Sequence, residues 1–129
     1  MRKPTPTRKA KARAPHPVFP FAVTLRAASL IFEGDGRPAL YVCADNYTGT
    51  LGLYRVPEDC RVTVKAPHPL PEAGPRVFLP AGSAVIFETA DSKTVLPLHA
   101  VRVCRELLEA LEVHAHALQS WKAHRQGAA

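Results

Sequence analysis

The three cysteines, Cys43, Cys60 and Cys104, are an odd number and include no CxxC pair, which excludes a zinc cluster of the usual spacing and a disulfide framework. Reduced, largely buried thiols are expected instead. No apolar run approaches the ~20 residues of a membrane helix, so no membrane partner is expected. The run VFPFAVTLRAASLIF is broken by Pro20 and Arg26, short of the ~7 to 15 uninterrupted apolar residues of a secretory signal. Acidic residues are missing before Glu33, as in a mitochondrial presequence, but five prolines by position 20 oppose the amphipathic helix that such a leader needs. The expectation is a cytoplasmic protein of bacterial or phage type. GxSxG, P-loop, HExxH and GxGxxG patterns are all missing, so no catalytic residue, cofactor or metal site is expected. The short carboxylates Asp35, Asp45, Asp59 and Asp91, with Glu58, fall in turn-forming stretches, where such groups cap backbone N–H groups.

What the chain has in excess is positive charge in one place. Residues 1–17, MRKPTPTRKAKARAPHP, hold Arg2, Lys3, Arg8, Lys9, Lys11 and Arg13 and no acid. The other 112 residues hold 17 − 6 = 11 basic and all 11 acidic residues, so the net +6 belongs wholly to this stretch. Its prolines and mutually repelling cations, with no large apolar side chain after Met1, predict a disordered basic arm. Those six residues are the candidate nucleic-acid contacts, because cations in series bind phosphates without reading sequence.

From Phe19 the pattern becomes β. FAVTLR alternates Phe21, Val23 and Leu25 against Ala22, Thr24 and Arg26, and the run continues through SLIF to the turn at 33–36. ALYVCA (39–44) reads as a strand buried on both faces, DNYTG as a turn, and TLGLYRV (50–56) as its hairpin partner. RVTVKA (61–66) alternates again; RVFL (76–79), AVIFET (84–89) and TVL (94–96) supply two or three further strands. The expected fold class is α+β: a small five- to six-stranded antiparallel meander, curled or barrel-like, over 18–97, interrupted by a proline-rich loop at 67–75 and followed by one long C-terminal helix and a short tail, 126–129.

The helix is expected over 98–125, opened by Pro97 and free of internal Gly or Pro. Its apolar stripe reads Val101, Cys104, Leu107, Leu108, Leu111, Ala115 and Leu118, extended by Trp121. Some 28 helical residues span roughly 40 Å, longer than a sheet of five-residue strands covers. Leu118 and Trp121 are therefore expected to project as an interface for a protein partner or a second copy.

The tetrapeptide APHP occurs at 14–17 and again at 66–69. Both copies place a histidine, His16 or His68, in proline-rich chain without the rigid support that metal ligands need, so they read as punctuation between folded pieces. On the helix, His114 and His116 lie about 200° apart and cannot share an ion, whereas Glu112 and His116 could as i, i+4 neighbours; a surface pair is the expectation.

One resemblance rests on DNYTGTLG together with the basic stretch. It is similar to the PilZ-type cyclic-di-GMP receptors, which pair RxxxR with [DN]xSxxG on a six-stranded barrel carrying a C-terminal helix. Lys9 and Arg13 have the first spacing with one altered residue; Asn46-Tyr47-Thr48 has Thr for Ser, and Gly52 falls one position late. The resemblance implies a cyclic dinucleotide ligand. Against it stand two readings from the charge and the helix: a non-enzymatic nucleic-acid-associated protein, and a protein-interaction module such as an adaptor or inhibitor.

Overall fold

The structure, a computed structural model, describes residues 18–72, 74 and 76–128, of which 126–128 in backbone only. The predicted arm, 1–17, lies outside the described residues, as does the last residue of the predicted tail.

Alternation of apolar and polar residues, punctuated by turns, produces two three-stranded antiparallel sheets. Strands β1 (Thr24–Phe32), β2 (Pro38–Asp45) and β3 (Leu51–Arg55) form one in the order β1-β2-β3; β4 (Arg61–Lys65), β5 (Ala84–Glu88) and β6 (Lys93–Pro97) form the other in the order β4-β5-β6. The helix α1 follows at Val101–Ala128. The described residues are thus α+β, with six strands and a C-terminal helix, but the sheets are not closed into a barrel: β3 and β4 are consecutive yet share no ladder.

Between the sheets and α1 lies one core, in which Val42, Val85, Phe87, Val101, Cys104 and Leu107 are wholly buried. A bulge at Arg26, where the β1–β2 register jumps from Leu25 to Ala27, keeps this core continuous. Strict alternation from Leu25 would turn Ala27 inward; the extra residue lets Leu25 and Ala28 both face in, at 3% and 8% exposure. β2 buries Leu40, Val42 and Ala44 on its inner face and leaves Tyr41 and Cys43 half-buried outside, so it is covered unequally rather than buried on both faces.

Four local expectations are corrected. Residues 76–79 form no strand but a single bridge, Phe78 to Ala100; β5 already has a neighbour on each side, and Pro80 cannot donate to a ladder. Pro97 ends β6 opposite Ala84 instead of opening the helix, which begins at Val101. Phe21 is exposed, and the buried ring is Phe19, because a turn closed from Ala22 N–H to the Phe19 carbonyl (3.2 Å) moves the chain off the strand path before Thr24. On α1 the inward stripe runs Val101, Cys104, Leu107, Leu111, His114, Leu118 and Trp121, while Leu108 and Ala115 point outward. Steps of three and four fit both stripes; contact with β1 and β2 selects the first. No helix among the described residues is long and apolar enough to cross a membrane.

Candidate functional site

Val18 and Phe19, which follow the predicted arm in sequence, are held in place. The backbone N–H groups of Val18 and Phe19 both donate to the Thr94 hydroxyl, at 2.7 and 3.1 Å. The Phe19 ring, 3% exposed, stands edge-on to Phe87 with centroids 5.0 Å apart and lies 5.4 Å from Tyr54. A buried threonine on β6 and three aromatic rings therefore fix the chain at Val18 and Phe19.

The arginines of the sheets are held by acids. Arg26 pairs with Asp45 at 2.6 Å, Arg37 with Glu58 at 3.0 Å, and Arg61 with Glu88 at 3.8 Å. Arg55 makes a bidentate bond to Glu33, at 2.7 and 2.9 Å, and reaches Glu58 at 3.5 Å. Turn lengths place Glu33 at the end of one hairpin and Arg55 on the far strand of the same sheet, and Tyr41 between them also donates to Glu33. The Arg55 guanidinium holds the Glu33 carboxyl below the usual glutamate range, and Glu33 in turn raises Arg55; Arg26 is raised by Asp45. These arginines are neutralised locally; on the helix, Arg105 donates to the Pro71 carbonyl (2.9 Å) and Arg125 lies 4.8 Å from the Trp121 ring centroid, while Arg102 is exposed. Lys65, exposed on β4, edges a shallow depression of about 270 Å³ beside Pro80 and Gly82.

The turn that carries the PilZ resemblance is occupied with itself. The Asn46 side-chain carbonyl accepts from Thr48 N–H (2.9 Å), the Thr48 hydroxyl (2.7 Å) and Thr50 N–H (3.0 Å), while Gly49 takes φ +83°, a conformation that favours glycine. Gly52 leaves room for the Tyr54 ring, whose hydroxyl would lie 2.9 Å from a Cβ there. Asn46, Thr48 and Gly52 thus have complete structural employment. Lys9 and Arg13 lie outside the described residues, so the structure does not bring the two halves of the motif together.

Leu118 and Trp121 are both half-buried. The β1–β2 turn provides the cover that the sheet alone lacks: Trp121 donates to the Asp35 carbonyl at 3.4 Å, packs by Gly36, and lies between the Arg37 and Arg125 guanidiniums, at 4.9 and 4.8 Å. Gly36 takes φ +84° in that turn, a conformation that favours glycine.

His114, on the same inward stripe, is a titrating residue that periodicity alone did not single out. Burial lowers its pKa below the ordinary 6.5; the Pro38 carbonyl opposes this in part, and the charges of Arg37 and Arg55 add to the lowering. A depressed histidine contributes stability that is fully present above its unfolded value and lost as pH falls through the folded one. The melting temperature is therefore expected to decline as pH drops below about 6.5, and His114→Gln, which cannot gain a proton, should flatten that decline. Melting curves at closely spaced pH values check this, and an unchanged slope in the variant would refute it.

The remaining chemistry-bearing residues stand apart. His68 and His116 are exposed, as is Glu112, and His16 lies outside the described residues. Cys43, Cys60 and Cys104 are free; burial pushes the Cys60 and Cys104 thiols up, away from the reactive thiolate. Among the described residues, no three His, Cys, Asp or Glu side chains are grouped to hold a metal ion. No protein-family pattern, no curated protein and no solved structure matches the chain.

Thr94 and Phe19 were not singled out as site residues from the sequence. Phe19 carried a signal, a large ring directly after the basic segment; Thr94 carried none, because its role depends on chain 75 residues away.

Proposed function

We propose that this protein is a non-enzymatic binding protein that holds nucleic acid through residues 1–17, with the β-sheet and helix body positioning that segment or engaging a partner. The observation that carries the reading is the separation of charge. Arg2, Lys3, Arg8, Lys9, Lys11 and Arg13 have no acid among them, whereas Arg26, Arg37, Arg55 and Arg61 of the body are each paired with Asp45, Glu33, Glu58 or Glu88. Phosphates compete poorly for a guanidinium already bonded to a carboxylate, and freely for one that is not. The fixing of Val18 and Phe19 on Thr94 suits a body that orients the segment. Such binding tolerates any sequence and falls steeply with salt.

Titration of the full chain and of a chain lacking residues 1–17, each against duplex DNA and single-stranded RNA at two salt concentrations, tests the proposal. The full chain should bind and the shortened chain should not. Equal binding by both would overturn it and direct attention to exposed cations of the body such as Lys65, Arg76 and Arg102.

A further inference from the structure

We infer that the open edge of β3 is a docking surface for a second copy of this chain, joining two three-stranded sheets into one six-stranded sheet across a twofold axis at Leu53. The inference is independent of the proposed nucleic-acid function and uses a different face.

Backbone parity comes first. Asn46 N–H donates to the Thr50 carbonyl (2.9 Å) and Val56 N–H to the Leu40 carbonyl (2.8 Å), and between these bonds the register pairs Val42 with Tyr54 and Ala44 with Gly52. The even-numbered residues of β3 therefore turn their N–H and C=O groups toward β2. Leu51, Leu53 and Arg55 turn theirs toward the open edge, where no further strand lies among the described residues.

Each other edge is managed. α1 runs beside β1, and Glu106 accepts from the Ala28 N–H at 3.4 Å. β6 receives Val18 and Phe19 on Thr94 and lies next to β1. β4 carries Arg61 and Lys65 at its two ends with Thr63 between, all exposed, and charged side chains deter edge pairing. β3 reads LGLYR: its outward residues Leu51 and Leu53 are 59% and 64% exposed, and its one cation is held by Glu33 and Glu58.

Three outward-directed residues centred on Leu53 are complementary to themselves. In an antiparallel pairing about a twofold axis, Leu53 meets Leu53 of the other copy and Leu51 meets Arg55, so every edge N–H and C=O on both copies is matched. The leucines of the two copies cover one another on the outer face. Because Arg55 is already neutralised within its own chain, the pairing brings no free like charges together. One short strand and its leucines bury less than the ~1,200 Å² of standard interfaces, so the dimer should be weak and concentration-dependent.

Sedimentation of the full chain over about a hundredfold range of concentration should show a monomer–dimer equilibrium, and Leu53→Lys should remain monomeric while melting like the wild type. A positive readout reports the register. Cys43 stands opposite Leu53 within the same chain, so the cross-link is made in a Cys43→Ser background. There Leu53→Cys should give a disulfide-linked dimer on mild oxidation, since hydrogen-bonded antiparallel partners sit about 5.5 Å apart at Cα; Leu51→Cys, facing Arg55, should not. A wild type that stays monomeric throughout overturns the inference and leaves the edge to a different partner. A dimer that survives Leu53→Lys overturns it too, placing the contact elsewhere, with Leu118 and Trp121 as the alternative face.

Discussion

Phe19→Ala is expected to destabilise the protein by about 3–5 kcal/mol, the usual cost of emptying a buried aromatic site, and to lower the melting temperature by on the order of 15 °C or more. The ring is 3% exposed and wedged between Phe87 and Tyr54, and its neighbours come from different sheets, so neither can collapse into the space without disturbing the other. Loss of the ring also weakens the reason for Val18 and Phe19 N–H groups to stay on Thr94, leaving a buried hydroxyl short of partners. Removing residues 1–17 should leave melting nearly unchanged, because the net charge of those residues has no counterpart in the neutral body. Thermal denaturation of both variants followed by circular dichroism checks the pair. A stable Phe19→Ala variant would mean that Phe19 is not part of the core, and a large drop on removing 1–17 would mean that the segment packs.

The second large effect is on binding. Each phosphate neutralised contributes about −0.9 to the slope of log K against log salt on duplex DNA. With the six cations of 1–17 engaged, the slope approaches about −5, and affinity falls on the order of a thousandfold between ~50 and ~200 mM salt. Replacing Arg2, Lys3 and Arg8 with glutamine should roughly halve the slope, since half of the cations remain. Fluorescence anisotropy across a salt series measures it. A slope insensitive to these replacements would show that the segment does not carry the contact.

Most of the sheet could be read from the chain because period-two alternation and turn residues are local properties. Val62 and Val64 against Arg61, Thr63 and Lys65 needed no knowledge of the rest of the molecule. Where reading failed, the deciding interaction was distant. RVFL has the composition of a strand, but β5 had no side left for it. Leu108 and Leu107 fit a helical stripe equally well until β1 chose Leu107. Pro97 is acceptable at a strand end or a helix start, and its register opposite Ala84 decides. The separation of charge was legible by counting. The fixing of Phe19 on Thr94 and the Glu33–Arg55 pair were not, because each depends on strand register and on residues 75 and 22 positions apart.

Those long separations also set the order in which the molecule can come into being. Val18 waits for Thr94, Ala28 for Glu106, and Asp35 for Trp121, contacts 76, 78 and 86 residues apart. During synthesis the six cations of residues 1–17 emerge before the strands, and all six strands precede Val101, Cys104 and Leu107, which the core still lacks at that stage. Strand pairing itself joins only neighbours in sequence, so the slow step is the closure of the core through contacts 76 to 86 residues apart, whose loop entropy must be met before they form. For that interval the strands can pair with their neighbours, but the inner faces of both sheets are covered only once the C-terminal helix docks.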